Sequence, residues 1–193
     1  MAEESKSVFA NPAPLGLVGF GFTTVILSLI NASVLPKGGE QVVLPLAFVF
    51  GGLIQMLAGL MEFRCGNTFG TVAFLSYGAF WWWFACLVLL GGHGVLDLTQ
   101  AGSTIAVVLI GWGVFTLCMW IATFRLTKAL WWVFLTLWIT FFLLGFGDLL
   151  SAHRLTRAGG VVGFVCGLLA MYTSFALVIN STFGKTMLPL GTR

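Results

Sequence analysis

The sequence predicts an all-α integral membrane protein with six transmembrane helices. Three observations carry that expectation. Of 193 residues, 59% are hydrophobic and only 8% charged, whereas a soluble domain has about 25% charged residues. The mean hydropathy is +1.05, which leaves no polar surface to clothe a globule in water. Charges and Pro/Gly clusters divide the chain into six apolar runs, each near the roughly 20 residues that cross a hydrocarbon core of about 30 Å. Barrel strands are about 10 residues long and alternate in polarity; these runs are longer and continuous. Helices also satisfy their own backbone hydrogen bonds in lipid.

The first span is expected at residues 15–35, after NPAPLGLVGFG (residues 11–21). Asn11 is expected to cap the helix, its side-chain oxygen accepting a free backbone N–H. Pro12 fits the first helical position, where its missing N–H costs nothing, and Pro14 falls in the first turn, where proline is tolerated. The prolines therefore read as start signals. The free N–H groups and the dipole make this entrance attractive to an anion. A water-channel reading of Asn-Pro-Ala fails, because that architecture needs two such motifs on half-helices meeting at the bilayer centre. This chain has one, at the end of a span.

The other spans are expected at 42–61, 69–90, 104–124, 130–147 and 159–180. Residues 1–14 then form an N-terminal tail and helix cap, 15–180 the six-helix domain and 181–193 a C-terminal tail. All loops are short, the longest being GGHGVLDLTQAGS (91–103). Lys6, Arg64, Arg125, Lys128, Lys185 and Arg193 fall on the side of the termini, against Lys37, Arg154 and Arg157 on the other. The positive-inside rule then places both termini in the cytoplasm. The tail, with Glu3 and Glu4, is unlike a cleavable signal, and the short tails favour a prokaryotic inner (plasma) membrane. A net charge of +3 is no nucleic-acid footprint. No phosphate-cradling GxxxxGK[ST] occurs, so ATP does not drive this chain, and no residue-level 3+3 repeat stands out.

Cys65, Cys86, Cys118 and Cys166 are far apart without a CxxC; they read as inert core thiols, with no metal or cofactor. Gly159, Gly163 and Gly167 repeat at i, i+4, i+8, a small-residue ridge for close helix approach, within one subunit or between subunits. Trp131 and Trp132 fit an interfacial belt. Trp81, Trp82 and Trp83 lie deeper, and packing against lipid or a neighbouring subunit suits them.

Along the first span Phe20, Thr24, Ser28 and Asn31 recur at helical spacing. A polar stripe in lipid must face protein or water. Gln55 in the second span, Tyr77 in the third, and Thr136 and Thr140 in the fifth add polar atoms. Interhelical hydrogen bonds, worth about 0.6 kcal/mol each on average, account for any single one; a narrow polar path broken by aromatic collars accounts for the set. No Asp, Glu, Lys or Arg sits at mid-span. Glu62, beside Arg64, and Asp148, near His153 and Arg154, are expected at the interface, solvated or paired. His93 and His153 lie outside the spans, and no catalytic or metal-ligand set converges, so the chain does not read as an enzyme.

NPAPLGLVGFG, AGLMEFRCGNTFG (58–70), SYGAFW (76–81), GVFTL (113–117) and FGKTMLPLG (183–191) together resemble the acetate uptake transporter family, which includes the bacterial succinate–acetate permeases. The resemblance spans nearly the whole chain. It implies six helices around one pore per subunit, a homohexameric ring, and passage of acetate and related short carboxylates, succinate among them, passively or linked to protons. It implies a constriction of Phe20 and Tyr77, matched by motif, and Leu137, matched by position. It also implies a transport role at the inner mouth for Asn11, Pro12, Ala13, Pro14 and Leu15. Thr24, Ser28, Gln55, Thr136 and Thr140 complete the expected path, with Tyr77 adding a hydroxyl and no ionised group in the throat. The rival readings are a neutral urea- or amide-type channel and a non-transporting membrane sensor or assembly protein.

Overall fold

A computed structural model describes residues 9–191. Among these residues there are six rods apolar enough to cross a membrane. They are α1 (Ala13–Asn31), α2 (Glu40–Arg64), α3 (Thr68–Gly92), α4 (Gly102–Ala122), α5 (Lys128–Leu149) and α6 (His153–Phe183). A 3₁₀ turn, Thr123–Arg125, extends α4. The expected tail residues 1–8, with Glu3, Glu4 and Lys6, and Arg193 at the other end, lie outside the described residues.

Most spans start or end within a few residues of the expectation. The sixth differs most, because α6 begins at His153, not at residue 159, and runs 31 residues to Phe183. Arg154 and Arg157 sit in its first two turns. A hydropathy reading stops at those charges, while the helix carries them past the apolar core. In α1, Asn11 Oδ1 accepts from Ala13 N–H at 3.0 Å. The cap position itself is Pro12, so the helix starts one residue later than the proline pattern predicts.

α2 contains what no local pattern announced. Pro45 lies inside it, and its middle, Ala47–Ile54, is wound in π-helical turns. Such wide turns cluster at functional positions in helices. Two neighbours hold this one. The Trp82 indole N–H donates to the Phe48 carbonyl at 2.8 Å, and Gly52 leaves room for that ring, since a Cβ there would lie 2.0 Å from Trp82 Cδ1.

The rods pack as two interlocked groups. α1 lies between α6 and the π-helical part of α2; α3 rests on α2; α5 lies between α4 and α6. The α1–α6 seam is the closest. A Cβ on Gly160 would meet Ala32 N at 2.2 Å, and one on Gly167 would meet Val25 Cγ2 at 2.7 Å and Gly21 O at 2.8 Å. Gly159 faces Leu144 of α5, while Gly163 faces Ser28 and Thr140. The glycine ridge thus works inside the subunit, on α1 and α5.

Six crossings bring the start of α1 and the end of α6 to one face, called here the terminal face. There the motif after α6 turns back. Lys128 and Ala129 N–H donate to the Gly191 and Leu190 carbonyls at 2.7 and 3.0 Å. The Tyr172 hydroxyl donates to Pro189 O at 2.8 Å, and Asn180 Nδ2 donates to Leu188 O at 2.8 Å. This segment pins the start of α5 to α6.

Two expectations need correction. Trp81 is buried and packs edge-on against Phe80 and Phe84, so it belongs to the core; Trp82, 41% exposed, is the most outward of the three. Of the four thiols only Cys166 is buried; Cys65, in the turn after α2, is exposed, and so are Cys86 and Cys118, because an apolar helix in lipid turns much of its own surface outward.

The seam predicts a graded cost. Gly167→Val meets backbone atoms and lowers stability by about 1–3 kcal/mol, read as a lower unfolding midpoint in mixed micelles. Gly111→Ala, with nothing within 4 Å of its Cβ, changes stability by less than about 1 kcal/mol and leaves that midpoint close to the wild type's.

Candidate functional site: an aromatic collar over a small chamber

Phe20, Tyr77 and Leu137 come from α1, α3 and α5, and all three line one cavity. The Phe20 and Tyr77 rings lie 5.8 Å apart at 48°, and Phe134 lies 6.1 Å from Tyr77. Phe115 and Trp112 of α4 back the Tyr77 ring at 5.7 and 5.9 Å. The Tyr77 hydroxyl donates to Thr116 Oγ1 at 2.9 Å, and Thr116 donates onward to Trp112 O at 2.7 Å. The hydroxyl expected to face a solute is therefore committed to α4, and its bond fixes the ring as part of the collar. Towards the opposite face the aromatic packing continues through Phe80, Trp112 and Phe141, with Phe80 5.3 Å from Trp112 and 5.2 Å from Phe141.

On the terminal side of the collar the cavity holds about 70 Å³. At roughly 10–15 Å³ per enclosed water, this admits about five water-sized groups, which suits a solute of a few heavy atoms. Its walls are mostly apolar: Ala13, Leu17, Phe74, Val133, Leu177 and their neighbours. The polar exceptions are Gln55, Glu62 and Asn67.

Glu62 departs from the expectation of a solvated or paired carboxylate at the interface. It is 2% exposed, not solvated, and its partner is not Arg64, which is exposed. Asn67 Nδ2 donates to Glu62 Oε2 at 2.7 Å. Asn67 Oδ1 accepts from Gly70 N–H at 3.1 Å and so caps α3. Gly66 holds φ +73° and turns the chain back from α2. A Cβ on Gly70 would sit 2.7 Å from Glu62 Cδ. The stretch EFRCGNTFG is therefore one device: a turn, a cap and a glycine gap that together hold a carboxyl at the chamber wall. The signal was in the sequence, in the spacing of Gly66, Asn67 and Gly70 behind Glu62.

Two buried oxygens in the chamber wall, Gln55 Oε1 and Glu62 Oε1, lack hydrogen-bond partners among the described residues. An unpaired buried polar atom costs about 1–3 kcal/mol, so both mark a place that a hydrogen-bond donor would satisfy.

The other predicted path residues divide. Ala13 lines the chamber. Asn11, Pro14 and Leu15 line a separate, open cleft with Ser174 and Asn180 on the terminal face, where Ser174 Oγ donates to Pro14 O at 2.6 Å. Pro12 is buried. Thr24 is buried with its hydroxyl donating to Phe20 O at 2.7 Å. Thr136 and Thr140 likewise donate to Trp132 O and Thr136 O, both at 2.8 Å. These hydroxyl protons are used within their own helices, a common arrangement for threonine in apolar helices. Ser28 meets Thr140 across Gly163, beyond the collar. At the opposite face Asp148 is exposed and accepts from Thr156 at 3.4 Å, as an interfacial carboxylate should. The exposed Asp97 carboxyl is held below the usual range by the Thr99 hydroxyl and N–H.

Comparison with known proteins adds what geometry alone does not. The family model described as the GPR1/FUN34/yaaH family matches residues 1–190. The chain is 40% identical over 182 residues to the succinate-acetate/proton symporter SatP of Escherichia coli K12, covering 94% of this chain and 95% of that protein. It is 36% identical to acetate permease A of Emericella nidulans, covering 94% of this chain and 66% of the relative. The solved structure of the bacterial acetate channel SatP superposes with a TM-score of 0.90 at 39% identity, over 95% of this chain and 99% of that one. These relatives are named for transport, not catalysis. A matching family model over nearly the full length, and six membrane-capable helices in the same arrangement, make this chain a multi-pass membrane protein that belongs to the GPR1/FUN34/yaaH family.

Proposed function

We propose that this protein is a membrane channel or transporter for acetate and related short monocarboxylates. The observation that carries the reading is the chamber under an aromatic collar, in a chain 40% identical to a succinate-acetate/proton symporter. In this reading Phe20, Tyr77 and Leu137 form the constriction. Gln55, Asn67 and the entrance at residues 11–15 handle the carboxyl group on the terminal side, and Ser28 does so on the far side, beside Thr140, whose hydroxyl proton is held by Thr136 O. Assembly as a hexamer with one pore per subunit, termini in the cytoplasm of a prokaryotic inner membrane, is the arrangement the resemblance and the lysine and arginine count support.

Magnitudes favour passage as the neutral acid. Taking an ionised carboxylate out of water into an apolar constriction costs several kcal/mol even after relaxation. Protonating a carboxylate with a pKa of about 4.5 costs about 3.4 kcal/mol at pH 7, at 1.36 kcal/mol per unit. The collar offers no free donor to offset the first cost, because the Tyr77 hydroxyl is bound to Thr116.

Two outcomes are expected in proteoliposomes. Phe20→Ala opens the collar; lowering the barrier by about 1.4 kcal/mol raises acetate flux about tenfold and admits larger acids. A folded, assembled Phe20→Ala protein with unchanged flux and selectivity removes the collar as the gate. Acetate uptake, subtracted for empty liposomes, exceeds urea uptake; equal or greater urea flux supports the neutral-solute reading, and no flux of either supports the sensor reading.

A further inference from the structure

We propose that Glu62 is the proton-exchange group of the pathway, sharing one proton with a carboxylate solute in the chamber so that the solute meets the collar as the neutral acid. The assignment rests on the acetate reading above and adds a residue and a step to it.

The first observation is the orphaned pair. Gln55 and Glu62 line the same cavity, two turns apart on α2, and the Oε1 of each is buried without a hydrogen-bond partner among the described residues. Both oxygens are acceptors and require a donor. An acetate ion brings none. Acetic acid brings one O–H, and a protonated Glu62 carries one itself. A single proton lying between solute and Glu62 therefore meets a need that the ion alone leaves unmet.

The second observation is the cradle. Gly70 leaves room for the carboxyl and Asn67 donates to Oε2 only, so Oε1 is left without a donor among the described residues. Here Asn67 does the capping, and Glu62 stands behind it.

The third is isolation. The helices packed on α2 are α1 and α3. α1 has no ionisable side chain, and α3 has only Tyr77, bound to Thr116, and Cys86, which is exposed. On α2 itself Glu40 lies at the far end and Arg64 is exposed. Across the chamber α5 and α6 present Leu130, Val133, Phe134, Leu137 and Leu177. No cation neutralises Glu62 from these walls, so a proton is the partner available to it.

The step balances simply. Moving towards the collar, the O–H bond at Glu62 Oε1 breaks and an O–H bond forms on the solute. The negative charge passes from solute to Glu62, where Asn67 already donates. Nothing is oxidised or reduced, and water on the terminal side resupplies the proton. In the other direction the neutral acid crosses the collar and returns its proton to Glu62.

The test is labelled-acetate uptake in proteoliposomes at clamped potential, subtracted for empty liposomes. Glu62→Gln keeps an acceptor for Asn67 and removes the proton site. At about pH 7 its uptake falls about tenfold or more, while at about pH 5, where acetic acid forms in bulk, it returns to within about threefold of wild type. The readout is the ratio of the two rates. A merely structural defect lowers both alike, and an unchanged ratio overturns the assignment. Asn67→Asp keeps an acceptor for the Gly70 N–H but removes the N–H donor to the carboxylate. The pH at which uptake halves then moves up by about one unit; an unchanged midpoint overturns the proposal even if Glu62→Gln fails to assemble. Absence of wild-type uptake at both pH values overturns the acetate reading itself and Glu62 with it.

Discussion

The backbone contact between α1 and α6 is the constraint on which the rest depends. Gly21 and Gly167 let the two helices touch through main-chain atoms, and Gly160 does the same beneath Ala32. In lipid there is no hydrophobic force to press helices together, so such close packing supplies the association. Because α1 is held this way on one side, its other face, with Leu17 and Phe20, is turned onto the chamber. The same contact leaves Thr24 and Ser28 inside the protein rather than in lipid. Ser174 Oγ, bound to Pro14 O, fixes the lower end of the pair.

A second feature follows from the first. With α1 fixed, α2 must pass a crowded neighbour: Gly19 lies against the Phe50 carbonyl, and Gly51 against Thr23 and Trp81. The π-helical turns Ala47–Ile54 carry α2 past this crossing. Below them Gln55 and Glu62 both reach the chamber wall. The collar and the chamber are thus complementary: one is apolar and offers a solute no free donor, and the other holds buried acceptors on its wall. A solute that changes its charge between the two fits both.

Much of the fold was legible because lipid imposes it. Six runs of the right length, interrupted by charges, admit little besides six helices, and the prolines at the start of α1 and Gly66 between α2 and α3 mark ends. Phe20 in VGFG and Tyr77 in SYG, singled out by motif, and Leu137, singled out by position, do line one cavity. Other features were not legible. The π-helical turns arise from packing against Trp82, on another helix, and the local sequence AFVFGGLI is apolar whichever way it winds. Glu62 next to Arg64 reads as an interfacial pair, since adjacent opposite charges near a span end usually meet water. They point to different sides of α2, and the environment of Glu62 is set by Asn67 and Gly70 across a turn. The threonines read as donors to a solute, but their own helix carbonyls, four residues back, take the protons first. The exposed thiols and buried Trp81 show the same limit: composition says that a residue is apolar, not whether protein or lipid covers it.

The central claim is that the Phe20–Tyr77–Leu137 collar is the barrier between a chamber open to the terminal face and the opposite side of the membrane. It is tested most directly by sided thiol labelling of Ala73→Cys, at the chamber wall, in a background with Cys65, Cys86, Cys118 and Cys166 replaced by serine. With the collar intact, a membrane-impermeant reagent reaches this cysteine from the terminal face alone; with Phe20→Ala added, it does so from both. Labelling from both faces with Phe20 in place, or one-sided labelling that Phe20→Ala leaves unchanged, contradicts the account.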